Sequence, residues 1–444
     1  MANVRSTYTD SVDFYGQNTP MELVERFGST LYVYNEAMLR LRCREVRGLS
    51  SHPGFTPNYS AKANTNVHLL RIVREEGLVV DAMSPGEILM DLAAGFTPEQ
   101  ILFISNNVSA EELRFAVDRG VYVSVDSLSQ LNLYGEINPG GKVVVRFNPG
   151  IGAGHHKKVV TGGKETKFGV DPASPEAMEE LRTILARHSL TLCGVNMHIG
   201  SLFMQPDGYL EAMHVLLSIA EQWGAAENTL EIIDFGGGFG IPYHKYDGEE
   251  RLDFARLGSA FHEIISEFAE RTGYKGRFMC EPGRYIMAEC GALLGTCYSV
   301  KNNGPKRFVG TDIGFNTLVR PAMYDSFHDV EIYREDGEGV ESGEPMVQSI
   351  VGNICESGDI IAKDRSLPEI LEGDIVGMLD AGAYGYVMSS PYNQRPRPAE
   401  VLVRLDGKAE LIRRRETLKD LFRQYADGDA MLVQLGDAVP AGHL

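Results

Sequence analysis

From about residue 29 the hydrophobic positions fall in short continuous runs, each followed by a longer stretch with helical spacing. "TLYVYN" precedes "EAMLRLRCREVRG", "PNYSAK" precedes "NVHLLRIVREEG", and "LVVDAMS" precedes "PGEILMDLAAG". The alternation continues through "ILFIS", "YVSVDS", "KVVVRFN", "LTLCGVNMHIGS" and "LEIIDFGGGFG", and ends at "GRFMCEPGRYI". Continuous apolar runs suit strands buried on both faces. Eight or nine such strand–helix repeats predict an α/β fold, a parallel (β/α)8 TIM-type barrel rather than an open sheet. After residue 288 the period shortens. "KRFVGTDI", "VEIYRE", "PMVQSIVGN", "DIVGMLDAGAYG" and "AEVLVRLDG" alternate and are separated by turn residues. They predict a C-terminal antiparallel β domain, sandwich- or barrel-like. The expected division is an N-terminal segment 1–35 that joins the β domain, a barrel over 36–288, and the β domain over 289–444.

Charge narrows the partners. The 444 residues carry 61 acidic against 42 basic side chains, a net charge of −19. That excludes a phosphate-binding surface of the kind nucleic acid needs, and an anionic membrane surface as partner. A small molecule is the expected ligand. The six cysteines, at 43, 193, 280, 290, 297 and 355, form no C-x-x-C pair. No histidine cluster stands at zinc spacing, so neither a metal nor a disulfide framework is expected. The opening "MANVRSTYTDSVDFYG" has no apolar core, and no run of 18 apolar residues occurs. A cytoplasmic protein is expected.

In a (β/α)8 barrel the chemistry sits at the C-terminal ends of the strands. Lys62, Asp81, His198, Gly236 to Gly238 and Glu281 all fall at or just after such ends. Singly, each has an ordinary reading. A lysine is usually a solvated surface charge, but a desolvated one becomes a nucleophilic amine. Three glycines after a strand can cradle an anion with backbone N–H groups, or can simply allow close packing. A strand-end histidine such as His198, with Ser201 beyond it, can stack its flat face on an aromatic ring or merely satisfy its polar atoms. "EPGRYI" puts Glu281 and Arg284 three residues apart in a turn. "CESGD" holds Cys355 beside acids, where a buried inert thiol is the usual case. Tyr384 and Tyr392 lie in the glycine- and proline-rich "DAGAYGYVMSSPYNQRPRP".

Taken in order, "YSAKAN", "HIGS", "GGGFG", "EPGR", "RPAMY", "CESGD" and "GAYG…YN" resemble one family. They look like those of the pyridoxal-phosphate-dependent decarboxylases with an alanine-racemase-like barrel, and most of all those of the diaminopimelate decarboxylases. The resemblance runs from "STLYVYN" to "RPAEVL". It implies that Lys62 carries pyridoxal 5'-phosphate covalently through its amine. Asp81 would belong to the same cofactor site. The phosphate would lie against Gly236, Gly237, Gly238 and the turn from Glu281 to Gly283, with hydroxyls of Ser201 and Tyr392. His198 would stack on the pyridine face, and Glu281 would face the pyridine nitrogen. Cys355 would return a proton to the substrate carbon. Because "CESGD" belongs to the β domain, the resemblance implies a two-fold homodimer with shared sites.

The same resemblance implies an amino-acid substrate. Arg284 and Arg320 would bind a distal carboxylate by fork-shaped hydrogen bonds. Tyr324 and Glu356 would take the remaining distal groups, and Tyr384 would line both cofactor and substrate. Two arginines favour diaminopimelate, and hence lysine as product. The alternative is a sibling decarboxylase acting on carboxynorspermidine, on ornithine or lysine, or on a siderophore or antibiotic precursor. A racemase on this barrel would lack "CESGD", and a non-catalytic homologue would be expected to lose Lys62 or Cys355. The basic loop 152–166 suggests a lid, and the acidic loop 335–345 a solvated excursion.

Overall fold

The computed structural model describes residues 7–152, 166–334 and 345–435. The loops expected at 152–166 and 335–345 lie almost wholly outside the described residues. The chain divides into two compact units. One comprises Met1–Met38, Tyr243–Glu249 and Met287–Leu444, and the other Leu39–Pro242 and Glu250–Ile286. Tyr243–Glu249 thus packs with the first unit although it lies between barrel elements in sequence.

Strand β1 (Leu31–Asn35) belongs to the first unit. The second unit is the barrel. Its strands are β2 (Asn58–Ser60), β3 (Val79–Ala82), β4 (Ile101–Ile104), β5 (Tyr122–Val125), β6 (Lys142–Arg146), β7 (Thr191–Asn196), β8 (Ile232–Gly237) and β9 (Arg277–Glu281). They pair in sequence order, all in parallel. A bridge from Phe55 to Phe278 brings the last strand against the first, with Thr56 N donating to Phe278 O at 2.9 Å. The predicted (β/α)8 barrel is therefore present. Its interior holds an apolar layer: Val79, Leu102, Val144, Cys193, Ile232 and Met279 pack together with little exposure. Fully burying each large aliphatic side chain contributes roughly 1.5–3 kcal/mol.

Between strands, helices begin where the sequence caps them. Ser84 accepts from Glu87 N, and Ser109 forms a reciprocal capping box with Glu112. Pro85 and Pro175 stand at the first helical position, where a missing N–H costs no bond.

The first unit holds β10 (Gly291–Asn303), β11 (Lys306–Thr311), β12 (Val330–Tyr333), β13 (Met346–Val351), β14 (Ile360–Leu367), β15 (Ile375–Met378), β16 (Ala399–Val403) and β17 (Ala409–Arg413). With β1 they form one nine-stranded sheet. The expected antiparallel pairing dominates, with two parallel additions: β1 pairs with β16 in parallel, as does β11 with β13. A hairpin forces antiparallel pairing only between neighbours. β1 reaches β16 from the far end of the chain, and the stretch between β11 and β13 is long enough to cross over.

The helix Pro85–Ala94 buries an acid, Asp91, 0% exposed and with neither carboxyl oxygen hydrogen-bonded. Burial pushes its pKa up to about 9, and Asp81 and Glu87 add to the rise. An acid raised on folding stabilises the fold most below its unfolded value near 3.8, and that contribution is lost as pH climbs toward 9. Asp91→Asn, which cannot ionise, should flatten the fall of the thermal midpoint across that window and raise the midpoint at pH 8 by a few degrees. An unchanged slope of midpoint against pH would show that Asp91 is not the titrating group.

Candidate active site

Lys62 stands in a single 3-10 turn, Ala61–Ala63, directly after β2. That turn is braced by a carboxylate from the neighbouring strand. Ser60 Oγ donates to Asp81 Oδ2 at 2.8 Å, and Ala61 N donates to Asp81 Oδ1 at 2.9 Å. Asp81 is fully buried at the end of β3. Burial pushes its carboxyl well above the usual range, Glu281 adds to the rise, and Lys62 opposes it. Pro282 O accepts from Ser60 N at 3.3 Å, so the "EPGR" turn lies against the lysine turn. Glycine at 283 eases that approach: a Cβ there would stand 3.1 Å from Ser60 Cβ and 3.2 Å from Ala63 Cβ, tighter than ordinary contact.

His198 follows β7, and its Nδ1 accepts from Gly237 N at 3.1 Å. A nitrogen accepting from a backbone N–H carries no proton, so the imidazole is neutral. Burial, with Lys62 and Arg146 as nearby cations, pushes its pKa well below the ordinary value. The 3.7 Å approach of Nδ1 to Glu281 Oε2 is therefore not an ion pair.

The glycine triplet threads between the β7 and β9 ends. A Cβ on Gly237 would fall 1.8 Å from Glu281 O, one on Gly236 2.2 Å from Met197 O, and one on Gly238 2.3 Å from Gly200 O. Gly236 and Gly238 also take φ of +69° and +112°. Two of the three N–H groups are engaged within the protein: Gly236 N donates to Asp234 Oδ1 at 2.9 Å, and Gly237 N to His198.

Glu281 is 5% exposed, and its Oε1 is buried without a hydrogen-bond partner. Burial raises its pKa first and the Asp234 carboxylate second, while Lys62 and Arg146 oppose the rise. Asp234 is fully buried and also raised, chiefly by burial. Two such carboxyls in contact hold a proton between them. Arg284, 6% exposed, donates through Nη2 to Ser201 Oγ at 3.0 Å.

The β unit gathers the remaining motif residues. Tyr392 Oη donates to Glu356 Oε1 at 2.9 Å, and its ring stacks on Phe315 at 5.6 Å. Cys355 N donates to Asn393 Oδ1 at 3.0 Å. A cavity of about 320 Å3 is lined by Phe315, Val319, Ala322, Met323, Glu356 and Gly358, joining the "RPAMY" helix to the "CESGD" turn. Tyr324 and Tyr384 are half-buried, Tyr384 at a φ of +56°. Arg320 is 2% exposed.

Residues 39–288 match the model of a family described as the pyridoxal-dependent decarboxylases, over their pyridoxal-binding domain. The diaminopimelate decarboxylase of Methanothermobacter thermautotrophicus is 44% identical over 408 residues, 91% of this chain and 93% of that protein. This chain belongs to the diaminopimelate decarboxylase family. The diaminopimelate decarboxylase of Escherichia coli K12 is 35% identical over 94% of this chain and 98% of its own. Among solved structures, the diaminopimelate decarboxylase of Helicobacter pylori complexed with L-lysine aligns with a TM-score of 0.81 and 31% identity, covering 91% of this chain and 98% of that one.

The family's cofactor fits the barrel end. A buried carboxyl oxygen lacking a donor suits one ring N–H, a neutral histidine offers a flat face, and the glycines leave no side chain in the way. Two residues beside these escaped the sequence reading. Asp234 precedes the glycine run, and Arg146 ends β6, burial lowering its pKa against Glu281 and Asp126. The available signal was a charge within an apolar strand, as for Asp234, or at its end, as for Arg146.

Of the six cysteines, Cys355 is exposed and the other five are buried. Burial pushes the thiols of Cys43, Cys193, Cys280 and Cys297 up, which suppresses the reactive thiolate. A limiting alkylating reagent on the native protein should label Cys355 first, as peptide mapping would show. Equal labelling of Cys193 or Cys280 would contradict the burial described.

Proposed function

We propose that this chain removes one carboxyl group from meso-2,6-diaminopimelate, releasing carbon dioxide and leaving L-lysine. The buried, fixed arginine of "RPAMY" carries this reading, because a simple diamino acid has no second carboxylate for it to bind. Since the product is L-lysine, the carboxylate that survives is the one on the L centre. That end is held by the β-unit residues, and the D centre meets the cofactor.

When bound, pyridoxal phosphate supplies an electron sink for the pair left behind by departing carbon dioxide. Lys62 is the amine that holds it, kept in place by the Asp81 brace. Glu281, whose Oε1 lacks a donor, would accept a ring N–H, and neutral His198 would offer a flat face without adding charge. Gly238 and the Gly283–Arg284 turn would hold its phosphate, because the N–H groups of Gly236 and Gly237 are engaged. Ser201 and Tyr392 add hydroxyls. The Cys355 thiol delivers a proton to the carbon that lost its carboxyl group. Arg320 takes the distal carboxylate, and Arg284, Tyr324, Glu356 and Tyr384 the other polar groups. The enzyme works as a homodimer in which Cys355 and Glu356 serve the partner's barrel. We assign it to the cytoplasm, where a reducing milieu keeps an exposed thiol available.

The purified protein with pyridoxal phosphate should release carbon dioxide from diaminopimelate and not from lysine, whose far end has no carboxylate. Removing one partner of a desolvated charge pair costs about 2–5 kcal/mol. Arg320→Ala should therefore raise KM for diaminopimelate strongly and leave the cofactor's visible spectrum intact. Equal turnover of lysine, or an unimpaired Arg320→Ala, would favour a sibling decarboxylase.

Shared sites make a separate prediction. Lys62→Ala and Cys355→Ala subunits, each inactive alone, should regain activity on mixing, since a mixed dimer rebuilds one intact site. Demonstrated heterodimers with no activity would place both residues of a site in one chain.

A further inference from the structure

Arg320 is held on three sides by the β unit itself. Its Nη1 lies 2.8 Å from His328 Nε2, and its Nη2 donates to Ser326 Oγ at 3.3 Å. The guanidinium carbon stands 4.8 Å from the centre of the Tyr243 ring. On its other side, His328 Nδ1 is 2.7 Å from Leu379 O, which can only accept. The proton therefore sits on Nδ1, and Nε2 turns its lone pair to Arg320.

His328 is 1% exposed and is itself immobilised. Its ring packs edge-on to Tyr243 at 5.5 Å, and its carbonyl accepts from Arg365 Nη1 at 3.0 Å. The preceding Phe327 is clamped between the His244 ring and the Arg365 guanidinium, each 3.6 Å away. The following Asp329 accepts from Lys245 N at 2.7 Å. Tyr243, His244 and Lys245 all come from the segment that leaves the barrel sequence to join this unit.

We propose that His328 is a positioning residue: it fixes the plane of the Arg320 guanidinium for the distal carboxylate and so sets the preference for substrates that carry one. The inference rests on the assignment of Arg320 to the distal end. Two-pronged binding depends on the orientation of the guanidinium plane, and a group already fixed loses less freedom when ligand arrives. A carboxylate could fix the plane as well, but it would neutralise the charge and compete with the substrate. A neutral imidazole accepts the hydrogen bond and leaves the charge in place.

The test uses the holoenzyme and two competing ligands of equal chain length. L-lysine keeps the distal carboxylate, and pentane-1,5-diamine lacks it. His328→Asn places its amide where it can reach Leu379 O but not Arg320, so it isolates the bond in question. Loss of a hydrogen bond to a charged group predicts an increase of about tenfold or more in KM for diaminopimelate and in the inhibition constant of L-lysine. kcat should stay within about threefold, the pattern of lost ground-state binding. Inhibition by the diamine and the cofactor's visible band should not move. His328→Gln, whose amide oxygen and nitrogen can span both partners, should recover most of the loss. A variant that weakens lysine and the diamine alike, or shifts the band, would mean a general structural role and overturn the proposal. So would an Asn variant with unchanged lysine affinity. If the wild-type enzyme itself fails to distinguish lysine from the diamine, it is the assignment of Arg320 to the distal carboxylate that falls.

Discussion

The carboxylate of Asp81 accepts two hydrogen bonds from the turn that carries Lys62, and the barrel end is arranged around that brace. A three-residue turn after a three-residue strand has little structure of its own with which to hold a side chain. Tying it to a buried acid on the next strand converts it into part of the barrel. The cost is a carboxyl taken out of water, joined by Glu281 and Asp234 within the same strand ends. Three buried acids are tolerable only if protons and cations are shared among them. Lys62 and Arg146 are the cations, and both oppose the rise in the Glu281 pKa. These acids and cations thus balance one another at the barrel end, and perturbed ionisation of this kind tends to concentrate at functional sites.

Much of this was legible in the sequence because barrel strands are read by burial, and burial is a local pattern. "KVVVR", "TLCGVN" and "IIDFGG" are apolar because both faces are covered, and the residues that close them reach the barrel end. Lys62, Asp81, His198 and Glu281 followed from that rule. Arg146 and Asp234 obey it too, yet neither sits in a motif that draws attention. The use of the glycine N–H groups was illegible, since a glycine run shows that side chains are excluded but not which acceptors the backbone meets. Parallel pairing of β1 with β16 was equally hidden, because nothing local ties residue 31 to residue 399.

The β unit depends on a different device. Lys245 is largely buried and holds Asp380 at 2.6 Å, with Glu289 at 3.5 Å. A buried ion pair stabilises little beyond a well-packed apolar contact, but breaking it leaves an uncompensated charge, so it fixes register. Asp380 opens the "DAGAYG" turn and takes a φ of +56°, as does Tyr384 four residues on. The same short segment supplies the Tyr243 ring beneath Arg320. Seven residues interrupting the barrel pattern therefore contact two motif-bearing turns of the β unit they belong to, which explains why "IPYHKYDGEE" fits neither strand nor helix spacing.

If Arg320 serves the distal end as proposed, discrimination there would follow from charge as much as from contact. Lysine or ornithine entering as substrate would point an ammonium toward the Arg320 guanidinium, two like charges in a desolvated place. On the proposed assignment, diaminopimelate would bring a carboxylate to the same position together with its ammonium, and Glu356, hydrogen-bonded by Tyr392, would offer that ammonium an acid. The wrong substrate would then be disfavoured twice, once by repulsion and once by leaving the cation without an anion, and such negative terms separate substrates alongside added attraction. This requires that the guanidinium keep both its charge and its orientation while the site is empty. A histidine that accepts one hydrogen bond and carries no charge satisfies both conditions, whereas an aspartate at position 328 would satisfy only the second.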